Sequence, residues 1–181
     1  NGHLQFIGVC RGTPSNVAVE TARQKNIPVF HTPARNAQAV AEMFISNVIV
    51  FMRHTIQARA WLLDKKWEKD AHASYLAFKG NELAGKTVGM IGFGAIGQLI
   101  ARMIESYPCK IQYYDPYINK TAFPAYKQTS IEDVFSTSDI VSVHLPVTDD
   151  TTGMIDRTLF DLMKKESIFI NTARAVVVNR N

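Results

Sequence analysis

The most constraining stretch of the chain is Gly92-Phe93-Gly94-Ala95-Ile96-Gly97, set between the apolar run Thr87–Ile91 and a second apolar run that begins at Ala95. Three glycines at G-x-G-x-x-G spacing say little alone, because small residues fill many kinds of turn. Placed between a strand and a helix, they predict a bend whose backbone can approach an anion closely. Gly92 would permit the tight turn, Gly94 the close approach of a pyrophosphate, and Gly97 close packing of the helix. The exposed N–H groups at the helix start, where the helix dipole favours negative charge, would hold that pyrophosphate. Asp115 lies 18 residues beyond Gly97, at the end of the next apolar run, Lys110–Tyr114. That is close to the spacing of about 20 at which an acid meets the adenosine ribose of a dinucleotide. Its carboxylate could accept both ribose hydroxyls and would repel a 2′-phosphate. Pro116 and Tyr117 follow it, with no Arg to take that phosphate. The expected cofactor is therefore NAD, preferred over NADP.

The remainder of the chain after Lys86 alternates in the same way. Strands are predicted at Thr87–Ile91, Lys110–Tyr114, Ile140–Val143 and Ser167–Ile170. Helices are predicted from Ala95 to about Ser106, from the capping box at Ser130-Ile131-Glu132-Asp133, and from Asp156 to about Lys165. Apolar strands alternating with helices predict an α/β domain with a doubly wound parallel sheet, a Rossmann-type nucleotide-binding fold. The first part of the chain reads differently. Leu4–Cys10 is a strand, Gly12-Thr13-Pro14-Ser15 a turn, Asn16 the cap of a helix to about Lys25, and Ile27–His31 an edge strand carrying Pro28. Two strands and a helix cannot close a core, so residues 1–35 are expected to be a remnant of a second domain and residues 36–181 the main one. Apolar residues at Val40, Met43, Phe44, Val48, Phe51 and Met52 predict one long helix from Ala37 into the Trp61–Trp67 region. It is apolar on more than one face, as burial between domains or subunits requires. Residues 68–81 show no period and are expected to be a linker. The first strand opens almost at Asn1 and the last falls shortly before Asn181, which predicts a piece of a longer protein.

Composition narrows the function classes. With 20 Lys and Arg against 16 Asp and Glu among 181 residues, the net charge is +4. The densest basic pairs, Lys65-Lys66 and Lys164-Lys165, adjoin acids, so no nucleic-acid surface is expected. The most apolar stretch, Ala39–Met52, is broken by Glu42, Ser46 and Asn47 and falls short of the roughly 20 residues a bilayer span needs, so no membrane association is expected. No charged-then-apolar run opens the sequence, so no secretory signal is expected. Cys10 and Cys109 have no metal-ligand spacing and are expected to be reduced thiols of a cytoplasmic protein, with no metal site.

Two further pieces stand at the carboxyl ends of predicted strands, where open parallel sheets bind ligands. One is His144-Leu145-Pro146; the other is Asn171-Thr172-Ala173-Arg174. An Arg there presents a planar fork suited to a carboxylate or carbonyl, though a surface loop accounts for the spacing equally well. A His at a strand end is also compatible with a purely structural role.

Taken together, Val88–Gly97, Tyr114-Asp115-Pro116, Ser138–Pro146 followed by Thr148 and Thr151, and Phe169–Arg174 resemble the D-isomer-specific 2-hydroxyacid dehydrogenase family, the phosphoglycerate and glycerate dehydrogenases among them. The resemblance covers nearly the whole chain and keeps the motifs in the family's order. It implies that residues 1–35 belong to a flavodoxin-like substrate domain. There the Arg11–Val17 loop would hold the acid's carboxylate, with Arg11, Gly12 and Thr13 closest. It implies that Phe93–Ile96 line the pyrophosphate. His144, Leu145, Pro146 and Thr151 would flank the adenine side and the path to the nicotinamide, with Thr172 and Ala173 beside the nicotinamide. Arg174 would bind and polarise a small 2-hydroxy or 2-keto acid. The long helix would lie between domains and contribute to a homodimer. The family's acid–base pair, a His oriented by a Glu, lies beyond the Arg motif, and none of the five histidines occupies it, so this chain alone is expected to turn over very slowly or not at all. Ala175 stands where the family usually has Gly, and Glu166 where it prefers a small polar turn residue. The rival reading is a module of the same fold that senses NAD(H) without catalysis.

Overall fold

The computed structural model describes residues 3–66, 72–119 and 121–180. The chain divides into two compact units, Asn1–Gln38 and Ala39–Asn181. The first is a β-α-β piece: β1 (Ile7–Val9), α1 (Val19–Gln24) and β2 (Val29–His31), with the two strands parallel and Ile7 opposite Val29. Asn16 does not cap α1. Val17 N–H first closes a turn on the Pro14 carbonyl, and the helix starts after Ala18, which offers no side-chain cap.

In the second unit, β3 (Thr87–Ile91), β4 (Lys110–Tyr114), β5 (Lys127–Gln128), β6 (Ile140–Val143) and β7 (Ile168–Asn171) form one parallel sheet in the order β5-β4-β3-β6-β7. Chain order reverses between β3 and β6, so the crevice outside their carboxyl ends is the switch point where such sheets take ligands. The four long strands match the sequence pattern; β5, two residues long, carries no pattern and went unpredicted. The helices of this unit are α2 (Ala37–Met52), α3 (Thr55–Leu63), α4 (Ala73–Ala77), α5 (Ala95–Ile104), α6 (Ile131–Thr137) and α7 (Arg157–Asp161).

Both faces of the sheet are covered, which explains why its strands read as continuous apolar runs. Val88, Met90, Ile140 and Ile170 face Phe44, Val48, Met52, Ile100 and Ile104 in one buried cluster. Ile91, Val141 and Val143 face Val134, Phe135, Ile155 and Leu159 in the other. Gly89 lets α6 lie tight on β3, since a Cβ there would stand 2.1 Å from Ser138 Oγ. The predicted caps of the last two helices are present: Ser130 Oγ accepts Asp133 N–H and Asp156 Oδ1 accepts Leu159 N–H, each at 3.1 Å. Past Asp161 the chain turns rather than continuing as a helix to Lys165.

The single long helix expected from Ala37 is two helices bent by 60°. Neither Pro nor Gly breaks it; His54 adopts the left-handed conformation at φ 52°. The stop comes from far along the chain. Asn81 N–H bonds the Met52 carbonyl at 2.8 Å, and Gly80, at φ +56°, lies so close that a Cβ would stand 2.5 Å from that same oxygen. Local periodicity cannot register a cap supplied by a segment so distant in sequence. Trp67, the predicted far end, lies outside the described residues, as does part of the predicted linker, whose later portion holds α4. Among the described residues no single helix is long and apolar enough to cross a membrane.

Candidate functional site

The bend from β3 into α5 carries all three fingerprint glycines, and two of them have a spatial reason to be glycine. Gly92 has φ +87°, a conformation L side chains rarely adopt, and its N–H bonds the Tyr114 carbonyl at 2.8 Å. Gly97 faces that bend: a Cβ on it would stand 2.7 Å from the Gly92 oxygen. Gly94 is the opposite case. It is exposed, its absent Cβ would meet nothing within 4 Å, and as the residue before α5 it supplies no side-chain cap. The first-turn N–H groups of α5, over Ala95 and Ile96, therefore open onto a bare face, as an anion requires.

Phe93 behaves differently from its neighbours. Its ring is fully buried, stacked on Tyr113 with centroids 3.9 Å apart and met edge-on by Phe123 and Tyr126. Its N–H is given to Asp115 Oδ2 at 2.8 Å. Phe93 thus anchors the bend and offers the open face neither a side chain nor that amide. Asp115 Oδ1 accepts Tyr117 N–H at 3.0 Å, so both carboxylate oxygens are oriented by backbone amides at the end of β4, with Pro116 exposed beside them. The predicted acid and the predicted glycine bend are thereby joined by a direct bond.

Across the switch point, the His144 backbone and Leu145 Cδ2 lie against Gly92, 3.0 and 3.1 Å from where a Cβ would be. Pro146 is exposed, and its carbonyl accepts the Thr151 hydroxyl at 2.7 Å while that hydroxyl accepts Thr148 N–H at 2.8 Å. Thr151 closes its own loop. His144 Nδ1 stands 2.6 Å from Thr172 Oγ1, its ring meets Phe44 of α2 edge-on at 6.1 Å, and its Nε2 is buried without a partner. Burial pushes its pKa down to about 4, so the ring is neutral at pH 7.

Thr172 and Ala173 follow β7 at the same edge of the sheet, and Arg174 is exposed, with Nη1 donating to the Ala173 carbonyl at 2.8 Å. Asn171, quoted in the motif but given no role, clamps this loop. Its Oδ1 accepts Ala173 N–H at 2.9 Å and its Nδ2 donates to the Arg174 carbonyl at 3.0 Å. Asn before a turn is the signal that could have identified it. Ala175 opens a 3-10 turn (Ala175–Val177) and is not among the residues with positive φ, so Ala suits the place as well as Gly. The structure therefore gathers the glycine bend, Asp115, His144-Leu145 and the Arg174 loop at one edge of one sheet. Arg11, Gly12 and Thr13 lie in the other unit, exposed after β1. There Thr32 N–H bonds the Arg11 carbonyl at 3.0 Å and His31 Nδ1 donates to the Gly12 carbonyl at 2.8 Å. Among the described residues no cluster of His, Cys, Asp or Glu could hold a metal ion.

Residues 45–181 match the family model for the D-isomer specific 2-hydroxyacid dehydrogenase, NAD binding domain. The chain is 62% identical over 177 residues to YoaD of Bacillus subtilis, a protein whose name assigns it to the 2-hydroxyacid dehydrogenases, covering 98% of this chain and 51% of that one. It is 37% identical over 164 residues to the hydroxypyruvate reductase of Thermotoga maritima, covering 91% of this chain and 51% of the relative. Among solved structures, D-2-hydroxyisocaproate dehydrogenase superposes with a TM-score of 0.85 at 32% identity, over 97% of this chain and 52% of that one. The chain spans about half the length of these relatives. With a parallel sheet whose strand order reverses beside a glycine bend, an acid bound to that bend, and a family model matching residues 45–181, the chain belongs to the D-isomer-specific 2-hydroxyacid dehydrogenase family and carries its NAD-binding domain.

Proposed function

We propose that the intact protein transfers a hydride between NAD(H) and a small D-2-hydroxy or 2-keto acid. The observation that carries this reading is the joined pair of glycine bend and Asp115, facing the Arg174 loop across the same sheet edge. The residues fit NAD: the bare face at Gly94 and the first-turn amides of α5 would take the pyrophosphate, and the pre-oriented Asp115 carboxylate would take the adenosine ribose. Leu145, Pro146 and Thr172–Ala173 would border the rest of the cofactor. Bound NAD(H) supplies the hydride.

The chain's own residues bind and orient. Arg174, on a loop whose backbone Asn171 clamps, would present its guanidinium fork to a carboxylate or to a carbonyl oxygen that gains negative charge as it is reduced. Reduction of a 2-keto acid also needs a proton at that oxygen. His144, neutral and buried, is no proton donor, so the reading requires a donor elsewhere in the protein. The Arg11–Thr13 loop, braced by His31 and Thr32, would hold the acid's carboxylate, and the unit around it would be part of the substrate domain. The apolar residues exposed on α3 and α4 (Ile56, Leu62, Leu63, Tyr75 and Leu76) suit a second copy of the chain, and free cysteines suit a reducing cytoplasm.

The test is keto-acid-dependent oxidation of NADH by the intact protein, followed by absorbance with glyoxylate, hydroxypyruvate and pyruvate. Turnover with at least one of them, and a raised KM for it in Arg174→Lys, is the expected result. Saturable NADH binding without turnover on any small 2-keto acid would favour the NAD(H)-sensing module instead.

A further inference from the structure

The imidazole of His144 is buried at the ligand edge of the sheet with one nitrogen unused, and hydride transfer as outlined above asks nothing of it. Its surroundings determine which nitrogen carries the proton. β6 and β7 run in register with Val143 opposite Asn171, so His144 and Thr172 leave the sheet side by side. Thr172 is tied twice to the Val143 carbonyl, through its N–H at 3.2 Å and its hydroxyl at 3.0 Å. A carbonyl only accepts, and the Thr172 hydroxyl is set to donate to it. With its proton there, Thr172 Oγ1 offers lone pairs to His144 Nδ1 at 2.6 Å, and the arrangement assigns the N–H to Nδ1. The ring is neutral, which leaves Nε2 a bare acceptor, shielded from solvent and without a donor.

An orphaned buried nitrogen is costly, and an apolar side chain could meet the Phe44 edge without it. The imidazole's one specific gain is the Nδ1–H bond to Thr172. Thr172 in turn begins a loop that is stapled internally: the Asn171 amide grips both Ala173 and Arg174. A segment tied in this way moves as one piece, so fixing the Thr172 hydroxyl fixes the direction in which Arg174 leaves the sheet.

We propose that His144 is a positioning residue that acts through Thr172: its Nδ1–H locks the Thr172 hydroxyl and thereby orients the Arg174 loop toward the substrate. The proposal rests on the dehydrogenase reading for the role of Arg174, while the tautomer is argued independently of it, from the hydrogen bonds of Thr172 and the burial of Nε2.

Two isosteres separate the nitrogens. In His144→Asn the side-chain amide nitrogen can take the place of Nδ1, whereas in His144→Gln it takes the place of Nε2. In the intact protein, His144→Gln and Thr172→Val are each expected to raise KM for the keto acid about tenfold, with a smaller change in NADH affinity. The double variant should be no worse than either single one, and His144→Asn should recover most of the loss. The pH profile of kcat should keep its limbs in His144→Gln, because the ring moves no proton. Additive effects, an unchanged KM in His144→Gln, or loss of a limb would each overturn the proposal. Long-range proton–nitrogen correlation spectra of the His144 ring in the unmodified protein provide an arm that needs no variant: Nδ1–H is expected, and Nε2–H refutes the proposal. If Nδ1–H is found but no 2-keto acid is turned over, the dehydrogenase reading has failed, and with it the substrate-orienting role.

Discussion

Gly94 and Gly97 belong to one motif, yet the structure predicts that substituting them does different damage. Serine at position 94 would add its Cβ to space with no atom within 4 Å, at the residue that precedes α5. Serine caps helices at least as well as glycine, so Gly94→Ser should keep or slightly raise the melting temperature. The same side chain would stand on the bare face where the pyrophosphate has to approach. Losing one charge-assisted amide–phosphate bond costs about 1.5–3 kcal/mol, so NADH should bind about 10- to 100-fold more weakly. Gly97→Ala is the counterpart. Its methyl would stand 2.7 Å from the Gly92 oxygen, and reaching an ordinary 3.4 Å contact means pushing α5 off the bend. Overpacking of that kind costs about 1–3 kcal/mol, offset by about 1 kcal/mol for replacing a helical glycine with alanine. Gly97→Ala should therefore lose both stability and NADH affinity. Thermal unfolding followed by circular dichroism and NADH fluorescence titration measure the two quantities on the same samples. A folded Gly94→Ser variant that binds NADH like the unmodified protein would refute the reasoning.

Asp115→Ala should narrow the preference for NADH over NADPH about tenfold, since it removes both the ribose acceptor and the charge that repels a 2′-phosphate; titrations with an unchanged ratio would contradict this. His144 has a pKa of about 4 in the fold against about 6.5 unfolded, so its contribution to stability is full above pH 6.5 and is lost as pH falls toward 4. That amounts to up to roughly 3 kcal/mol. Urea unfolding at pH 7 and pH 4.5 should show a steeper acid loss in the unmodified protein than in His144→Asn, and equal losses would refute it. Ser130→Ala removes the cap on Asp133 N–H and should cost about 1 kcal/mol, seen as a fall of about 2–4 °C in Tm.

The sheet was legible because its strands are buried on both faces and its glycines sit at a strand–helix junction, signals that are local in sequence. The caps at Ser130 and Asp156 are legible for the same reason: each is one side chain bonding an amide three residues on. What escaped reading depends on distant partners. The end of α2 is set by Asn81 and Gly80, β5 exists only because Gln112 and Tyr113 offer it an edge, and α7 stops at Asp161 without a local breaker. In the site, the glycine bend and Asp115 were predicted as separate contributors to one ligand; the bond between Phe93 N–H and Asp115 joins residues 22 apart, and no spacing rule reveals it. The burial of the Phe93 ring against Tyr113, Phe123 and Tyr126 also depends on partners 20 or more residues away. The hydrogen bonds of His144 likewise require knowing that β6 and β7 are neighbours.

If the cofactor binds as proposed, a nucleotide diphosphate rests on the first-turn amides of α5 with its ribose on Asp115. A crystal structure of the protein grown with NADH tests it directly. Pyrophosphate oxygens are expected within hydrogen-bonding distance of the backbone N–H groups between Gly94 and Ile96, with both adenosine ribose hydroxyls on the Asp115 carboxylate. Cofactor bound at another edge of the sheet, or a diphosphate held away from that bend, would contradict it.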